Sequence, residues 1–388
     1  MVFMKKIYLD HNATTPLHPE VLNAMLPVLQ DNFGNPSSIH SFGRSARVQL
    51  DEAREKVARL IGANSSEIIF TSGGTEANNL ALLGVALEGS KGKKIITSKT
   101  EHPSILNPCR QLEGQGVEVH YLDVDRFGRI DINNLESQIT ESTALISLQH
   151  ANSETGVLQD IKKVSELARS KGVLFHTDAV QSVAKIEFNL NEYLVDMLSI
   201  SAHKFNGPKG VGALFLRKGT PALFSPVSGG SQEKKRRGGT ENVAGIIGFG
   251  KACELTLERV SVMEVSRIEE LKNYFYSKVC KMIPGTELLG DMQNSLPNTL
   301  NLGFAGVEGD TLLIAMDMEG VAVSTGSACS SGIGLPSHVL RAMGLPDNKI
   351  NSSIRFSLGC STTKVELDSV VEILVKAVGL NNTSISWR

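Results

Sequence analysis

The stretch EIIFTSGGTEANNLALLGVALEGSKGKKIITS, residues 67–98, contains two short apolar runs with a helix-like segment between them. The runs at 67–72 and 93–98 are rich in isoleucine and threonine, which are typical of β-strands. The segment between them, 75–89, is typical of a helix. A strand, a helix and a second strand in this order predict a βαβ unit, in which the two strands are parallel and the helix covers one face of the sheet.

The same alternation continues along the chain. Before it begins, apolar residues from Leu50 to Ile61 recur at steps of three and four and stop at Gly62, which predicts a helix that ends there. We therefore predict an α/β fold with a mostly parallel central sheet flanked by helices. The further predicted helices cover 103–116 and about 161–171, and the further predicted strands cover 117–124, 144–150, 173–177, 196–201 and 212–216.

The last third of the chain has a different pattern, which predicts a second, smaller α+β domain. A long helical pattern over 251–282 leads into it. We place the large domain at 16–257 and build the small domain from 1–15 and 258–388. The elements predicted for the small domain are strands at 298–304 and 353–359 and helices near 310–320 and 365–378.

Composition and charge exclude several classes of protein. Hydrophobic residues make up 41% of the 388 residues, and the formal net charge is -2, so neither a membrane protein nor a nucleic-acid-binding protein is expected. The chain has no signal-peptide pattern and no apolar run that could span a membrane, which predicts a cytoplasmic location. Its five cysteines are scattered and form no C-x-x-C pair, so we expect free thiols and no metal site.

Three titratable residues follow predicted strands. His102, Asp178 and Lys204 come just after the apolar runs at 93–98, 173–177 and 196–201. Taken singly, each is more often a structural or solvated residue than a catalytic one. The carboxyl ends of parallel strands meet at one edge of a sheet, where ligands bind, so we expect the three side chains to lie together.

A glycine-containing turn, TSGGTE at residues 71–76, lies between a predicted strand and a predicted helix. Glycines let the backbone approach a ligand closely, and the N-terminus of a helix offers free N–H groups to a phosphate. By itself the turn can equally be a tight connection. Together, a phosphate site, a carboxylate, a histidine ring and a lysine are the groups that hold pyridoxal phosphate.

With these residues in place, the chain resembles the cysteine desulfurases of the NifS/IscS type, which are fold-type I pyridoxal-phosphate enzymes. The resemblance covers nearly the whole chain. The motifs that carry it, in chain order, are YLDHNATTP (8–16), TSGGTEANN, TEHPS, HANSETG, HTDAVQS, SAHKFNGPKGVGAL, RRGGTEN, STGSACSSG, PSHVLRAMG and SIRFSLG.

The resemblance implies a role for each matched residue. Lys204 is similar to the lysine that binds the cofactor covalently, Asp178 to the partner of the pyridinium nitrogen, and His102 to the acid/base that stacks on the ring. Arg355 and Asn152 correspond to the residues that hold the substrate, with Arg355 on its carboxylate. The further cofactor contacts that the resemblance implies are those of Gln181 with the phenolic oxygen, of Gly74, Thr75, Ser201 and His203 with the phosphate, of Asn152, and of Thr240 with the phosphate of the neighbouring subunit in a homodimer.

Cys329 lies in STGSACSSGIG, residues 324–334, where small residues leave little to pack against. Such a stretch predicts a surface loop with an exposed, reactive thiol. We expect the other cysteines, which are Cys109, Cys253, Cys280 and Cys360, to be small buried hydrophobes. The resemblance implies that Cys329 takes the sulfur of L-cysteine as a persulfide, that L-alanine is released, and that an acceptor such as an iron–sulfur scaffold protein or a tRNA-thiolation system receives the sulfur.

Two other interpretations remain open from the residues alone. Lys204, Asp178 and His102 would serve a selenocysteine lyase or an aminotransferase of the same fold equally well, and only Cys329 separates these from a desulfurase. A non-catalytic scaffold that binds partners would be favoured by the loss of Lys204 or Cys329. Both residues are present.

Overall fold

The computed structural model of the protein describes residues 6–89, 92–259, 262–326 and 336–383. The helices are α1 (Pro19–Gln30), α2 (Ser41–Ile61), α3 (Gly74–Glu88), α4 (Pro103–Glu113), α5 (Ile132–Gln138), α6 (Ile161–Ser170), α7 (Gln232–Lys235), α8 (Val243–Arg259), α9 (Val262–Met282), α10 (Gly309–Met318), α11 (His338–Ala342), α12 (Asp347–Asn351) and α13 (Lys364–Thr383). The strands are β1 (Ile7–Tyr8), β2 (Ile68–Thr71), β3 (Lys94–Ser98), β4 (Glu118–Leu122), β5 (Thr143–Gln149), β6 (Leu174–Asp178), β7 (Met197–Ser201), β8 (Gly212–Leu216), β9 (Thr286–Leu288), β10 (Thr299–Phe304), β11 (Val321–Ala322) and β12 (Ser353–Ser357).

The central sheet has the strand order β2-β8-β7-β6-β5-β3-β4. Strand β8 is antiparallel to both of its neighbours, and every other neighbouring pair in this sheet is parallel. The predicted α/β fold with a mostly parallel sheet is therefore confirmed. All strands except β8 end at the same edge of the sheet, and the residues that follow them meet there.

Helices cover both faces of this sheet, so its strands are buried on both sides. Alternate residues of β2 point to opposite faces, with Phe70 in the core that contains α2 and Ile69 in the core that contains α3. Helix α2 ends where the sequence predicts, at Gly62, whose φ of 72° is the left-handed conformation that closes many helices.

A second sheet, with strand order β12-β10-β9, is antiparallel. Helices α9, α10 and α13 pack on it in a separate hydrophobic core that includes Phe275, Leu302, Phe356 and Leu374. Strand β1, near the N-terminus, pairs with β11 and joins this core through Ile7. These contacts fit a small domain that includes the N-terminal residues, and the boundaries 16–257 and 258–388 stay predictions.

The single helical pattern predicted over 251–282 was wrong in its extent. Two helices cover this region: α8 begins earlier, at Val243, and α9 begins at Val262. Helix α8 packs into the core of the central sheet through Phe249 and Cys253, whereas α9 packs into the core of the second sheet. Apolar spacing continues across the boundary because each helix presents an apolar face to its own core. Over the described ranges, no helix has the length and apolar character needed to cross a membrane.

Candidate active site

A cavity of about 190 Å³ opens at the carboxyl edge of the central sheet. Most of the predicted site residues line it, although they come from distant parts of the chain. The lining residues are Asn12, Ala13, Gly74, Thr75, Asn78, His102, Ser104, Gln149, Ala151, Ser153, Asp178, Val180, Gln181, Ser201, His203, Lys204 and Arg355.

Lys204 enters the cavity from a short turn that follows β7. Strand β7 ends at Ser201, and one 3₁₀ turn, Ala202–Lys204, follows it. The Lys204 Nζ donates hydrogen bonds to the backbone carbonyls of Asn12 at 2.6 Å and Ala13 at 2.9 Å. The N-terminal segment thus holds the amine at the cavity.

Asp178 is the last residue of β6 and is largely buried. Its Oδ1 accepts a hydrogen bond from the Val180 backbone N–H at 3.0 Å, and its Oδ2 accepts one from the Asn78 amide at 2.7 Å. Two donors hold the carboxylate in one orientation. Asp178 can therefore face a positively charged ring nitrogen.

His102 caps the N-terminus of α4, and its Nδ1 accepts a hydrogen bond from the Ser104 backbone N–H at 3.1 Å. The Ser104 hydroxyl lies 2.7 Å from the same nitrogen and itself accepts a hydrogen bond from Asn78 at 2.8 Å. Since a backbone N–H can only donate, Nδ1 carries no proton, and the proton of the neutral ring is on Nε2. Burial lowers the pKa of His102, opposed by the charge of Asp178 and assisted by those of Lys204 and His338.

The turn between β2 and α3 has the geometry of an anion site. Gly73 has a φ of 154°, and a Cβ added there would meet no atom nearer than Ser201 Oγ at 3.9 Å, so it would occupy open space of the cavity. A Cβ added at Gly74 would lie 2.6 Å from Val180 Cγ2. The N–H groups of the first turn of α3 are available to an anion beside Thr75 and Ser201.

His203 lies at the same end of the cavity. Burial, together with the charges of Lys204, Lys209 and Lys185, lowers the pKa of His203 to about 4. The imidazole is therefore neutral near pH 7, and it can bind a phosphate as a hydrogen-bond donor rather than as a cation.

Arg355 lines the cavity from β12 of the second sheet. Its side chain is 2% exposed and pairs with Asp10, with 2.6 Å between the Arg355 guanidinium and Asp10 Oδ1. The guanidinium also donates to the Ser153 carbonyl at 3.1 Å, and its Nε has no hydrogen-bond partner among the described residues. A buried guanidinium with an unused N–H is suited to a carboxylate.

The residues present fit pyridoxal phosphate. The glycine turn leaves the space of a missing Cβ beside helix N–H groups, which suits the phosphate. Asp178 suits the pyridinium nitrogen, and the Lys204 amine suits the aldehyde. Gln181, which is buried at the cavity wall, carries an amide that can donate to the phenolic oxygen.

Three predicted site residues are not among those that line the cavity. Asn152 is buried beneath it, where its Oδ1 accepts from the backbone N–H groups of Glu154 and Thr155, both at 2.9 Å. Its amide holds this turn, so its contact with cofactor and substrate stays a prediction. Thr240 is exposed and away from the cavity. Cys329 lies outside the described residues.

The predictions for the other cysteines are largely confirmed, with one correction. Cys109 and Cys253 are buried and Cys280 is partly buried, but Cys360 is exposed. Cys360 follows β12 in a surface turn, where its backbone carbonyl accepts a hydrogen bond from Arg267 at 2.6 Å. Among the described residues, no group of three or more His, Cys, Asp or Glu side chains could hold a metal ion.

Sequence reasoning missed several residues of the site. Asp10 and Asn12 belong to the motif at 8–16, and this motif was the only sign in the sequence that they belong to the site. Nothing in the motif indicates which residues they contact. Asn78 links Asp178 to Ser104, and Lys185 contacts both Gln181 and Asn12. These four residues connect the predicted groups to one another.

The fold agrees with a comparison against known families. The family model described as aminotransferase class-V matches residues 7–370.

The chain belongs to the class-V aminotransferase family.

Curated relatives refine this assignment. The chain is 52% identical to the cysteine desulfurase IscS of Dictyoglomus turgidum over 96% of this chain and 95% of that protein. It is 43% identical to the cysteine desulfurase IscS of Clostridium botulinum, with 96% and 94% covered. The predicted resemblance to cysteine desulfurases is therefore confirmed, and within its family the chain belongs with them.

Solved structures agree. A NifS-like protein superposes with a TM-score of 0.91 at 36% identity, covering 97% of this chain and 100% of that chain. The structure of SspA in complex with cysteine superposes with a TM-score of 0.81 at 35% identity, covering 92% and 100%. Class-V aminotransferases and cysteine desulfurases are pyridoxal-phosphate enzymes. The chain therefore belongs to a family that uses the predicted cofactor.

Proposed function

We propose that this protein uses pyridoxal phosphate in the described cavity to transfer the sulfur of L-cysteine to Cys329. The observation that carries the proposal is the convergence of Lys204, Asp178 and His102 on the cavity that also contains Arg355. An amine, a carboxylate, a neutral imidazole and a carboxylate-binding guanidinium are the groups that the reaction needs.

The net reaction balances without any further reactant. The carbon–sulfur bond of L-cysteine breaks, a sulfur–sulfur bond forms at Cys329, and a hydrogen replaces sulfur on the substrate carbon. The products are L-alanine and a persulfide on Cys329. When bound, pyridoxal phosphate supplies an electron sink for the charge that develops on the substrate.

The residues of the chain orient the substrate and move its protons. Arg355 binds the substrate carboxylate in competition with Asp10. The Lys204 amine is placed to take the proton from the α-carbon, and Asp178 holds the ring nitrogen protonated. His102 is placed to shuttle the proton of the substrate thiol through Nε2, which must first give up the proton that it carries in the neutral ring. Cys329, as thiolate, attacks the substrate sulfur.

We also propose that the protein is a homodimer. Large apolar side chains are exposed on α1, α2 and the segment between them, including Leu29, Phe33, Ile39 and Phe42. The rings of Phe33 and Phe42 stack with 5.6 Å between their centroids. An exposed apolar patch of this kind favours a protein partner, and Thr240, exposed and away from its own subunit's cavity, is available to the other subunit.

The sulfur acceptor and the location belong to the same proposal. A persulfide on Cys329 must pass to an acceptor, and an iron–sulfur scaffold protein or a tRNA-thiolation system is the class we propose. A carrier thiol must stay reduced between turnovers, which favours the cytoplasm.

The experiment measures alanine and sulfide released from L-cysteine, with dithiothreitol as acceptor, by the pyridoxal-phosphate-loaded protein. We expect the wild type to turn over, Lys204→Ala to lose both the visible absorbance of the bound cofactor and the activity, and Cys329→Ala to keep the absorbance but release little sulfide. Cys360→Ala is the matched control, because Cys360 is an exposed thiol elsewhere, and it should turn over like the wild type.

The same assay separates the remaining alternatives. If Cys329→Ala released alanine as fast as the wild type, the carrier role would be wrong and a selenocysteine lyase type of reaction would be favoured. With a 2-oxo acid added as amino acceptor, 3-mercaptopyruvate in place of alanine would indicate an aminotransferase. A wild-type protein that binds no cofactor would indicate a partner-binding scaffold.

A further inference from the structure

A second lysine, Lys185, shares a hydrogen-bond partner with Lys204 next to the cavity, although it is not among the residues that line the cavity. The Lys185 Nζ donates a hydrogen bond to Gln181 Oε1 at 2.6 Å and another to Asn12 Oδ1 at 2.8 Å. Asn12 is also the residue whose carbonyl binds Lys204. Two lysine amines are thus held by one asparagine, one through its side chain and the other through its backbone.

The backbone before Lys185 is strained. Ala184 has a φ of 72°, in the left-handed region that residues other than glycine seldom adopt. Strain of this kind persists where surrounding contacts require it, and it often lies next to functional sites. Here it accompanies the turn that places Lys185 against Gln181.

Lys185 is partly buried and lacks the carboxylate partner that a lysine away from solvent usually has. In the described ranges of the chain, no carboxylate forms an ion pair with it, and its Nζ donates hydrogen bonds to the two neutral amide oxygens. Burial, together with the positive charges of Lys204 and Arg355, holds the pKa of Lys185 well below its usual value. A lysine that only stabilised the fold would be better paired, because an unpaired buried cation is costly.

The contact with Lys185 decides which way the Gln181 amide faces. Lysine N–H groups require an oxygen, and the Asn12 carbonyl requires a donor, so Gln181 must turn Oε1 to Lys185 and Nε2 to Asn12, at 2.9 Å. The reversed amide would set nitrogen against nitrogen and oxygen against oxygen. The contact with Lys185 therefore excludes the reversed orientation of the Gln181 amide, in which Oε1 would face the Asn12 carbonyl.

We propose that Lys185 is a positioning residue of the cofactor site, which acts by fixing the Gln181 amide with its nitrogen as the donor at the cavity wall. The inference rests on the proposed function, because Gln181 is there the partner of the cofactor's phenolic oxygen. Lys185 touches neither cofactor nor substrate in this role. Its effect on cofactor binding passes through Gln181.

The chain offers a matched control. Lys272 is a fully buried lysine whose Nζ, like that of Lys185, donates to a neutral oxygen, here the Leu296 carbonyl at 3.0 Å, and burial likewise lowers its pKa. It lies on α9, in the second core, and does not line the cavity. Lys272→Met thus removes a lysine amine that has no contact with Gln181, so it controls for the loss of the amine itself.

The test is a titration of apo-protein with pyridoxal phosphate, followed by absorbance, for the wild type, Lys185→Met, Gln181→Met, the double variant and Lys272→Met. Loss of one oriented hydrogen bond should weaken cofactor binding about tenfold in Lys185→Met and in Gln181→Met. The double variant should bind no more weakly than Gln181→Met, and both single variants should shift the absorbance band in the same direction. Lys272→Met should leave affinity and band unchanged.

Thermal unfolding of the apo-proteins shows whether each variant is folded. If Lys185→Met does not fold, Lys185→Gln, which keeps an N–H donor, takes its place, and it should bind the cofactor within about threefold of the wild type. A Lys185→Gln protein that folds but binds as weakly as Gln181→Met would overturn the proposal.

Other outcomes are equally decisive. Wild-type affinity in Lys185→Met would overturn the inference and leave the proposed function standing. So would effects of Lys185→Met and Gln181→Met that multiply in the double variant, because the two residues would then act independently. A wild-type protein that binds no pyridoxal phosphate would overturn both proposals.

Discussion

Asp10 and Arg355 form an ion pair across the cavity's side wall, with 2.6 Å between Asp10 Oδ1 and the Arg355 guanidinium. Arg355 is 2% exposed, and the two residues lie on different segments of the second-sheet region, since Asp10 pairs with Ser357 as an isolated bridge. The Arg355 guanidinium is thus held in place by a carboxylate of the protein itself, that of Asp10.

Replacing Arg355 should weaken substrate binding more than it slows turnover. In Arg355→Gln we expect the KM for L-cysteine to rise about tenfold to a hundredfold, the usual loss for a hydrogen bond to a charged group, with a smaller change in kcat. Steady-state kinetics check this. Arg341→Gln, at an exposed arginine on α11, is the control, and an equal KM in both variants would contradict the role of Arg355.

Replacing Asp10 should have the opposite effect on binding and a cost in stability. Asp10→Asn leaves a buried guanidinium without its counter-charge, which should lower the free energy of unfolding by about 3 kcal/mol. The substrate carboxylate then meets no competitor, so L-alanine, the product, should raise the Tm of the variant more than that of the wild type. Urea unfolding and thermal shifts with L-alanine measure the two effects. Weaker stabilisation by L-alanine would contradict the competition between Asp10 and the substrate.

The buried His176 should make the fold sensitive to acid. Its two ring nitrogens contact the hydroxyls of Ser147 and Ser199, both at 2.9 Å, and burial lowers its pKa to about 3. The unfolded chain binds a proton at this residue below about pH 6.5, whereas the folded chain does so only near pH 3. The stability that this group contributes is therefore present above about pH 6.5 and is lost as the pH falls, by up to about 1.4 kcal/mol per pH unit.

His176→Gln removes the titration, so the free energy of unfolding should fall less steeply between pH 6.5 and 4 than in the wild type, although it is lower at pH 7. Urea unfolding over this pH range measures the slope. Val164→Ala, which creates a cavity in the core on the opposite face of the same sheet without a titratable group, should lower the curve and keep the wild-type slope. An unchanged slope in His176→Gln would show that other groups control the acid sensitivity.

The stacked pair Phe33 and Phe42 should belong to the dimer interface. Phe33→Asp places a charge in the exposed apolar patch, so we expect a protein with the mass of one subunit and, because Thr240 then reaches no second phosphate site, weaker cofactor binding. Light scattering after gel filtration measures the mass. Met318→Asp, at an equally exposed apolar residue on α10, is the control and should keep the wild-type mass. A dimeric Phe33→Asp protein would place the interface elsewhere.

The sequence predicted the central sheet well because its strands are short apolar runs between glycines and charged residues. His102, Asp178 and Lys204 could be predicted because each follows such a run within four residues, and the topology of a parallel sheet brings such positions together. The family assignment needed the motifs in their order as well as the individual residues.

The residues that orient these groups could not be predicted. Asn12 contacts residues more than 150 positions away, such as Lys185, and no local pattern encodes contacts at that distance. A lysine in a turn is usually solvated, so Lys185 gave no signal. Cys360 was predicted to be buried, as free cysteines usually are. Its exposure could not be predicted because it depends on the packing of β12 and α9 rather than on its neighbours in sequence.

The exposure of Cys360 affects how sulfur loading on this protein is counted. A maleimide or iodoacetamide reagent that titrates accessible thiols will modify Cys360 as well as any accessible carrier cysteine. In the wild-type protein, the number of alkylated thiols would then count Cys360 together with the carrier cysteine. Thiol exchange during handling would also move a labelled sulfur atom from the carrier cysteine to Cys360. Intact-mass measurements in a Cys360→Ala background would assign each added 32-dalton increment without that ambiguity, about one sulfur atom for each.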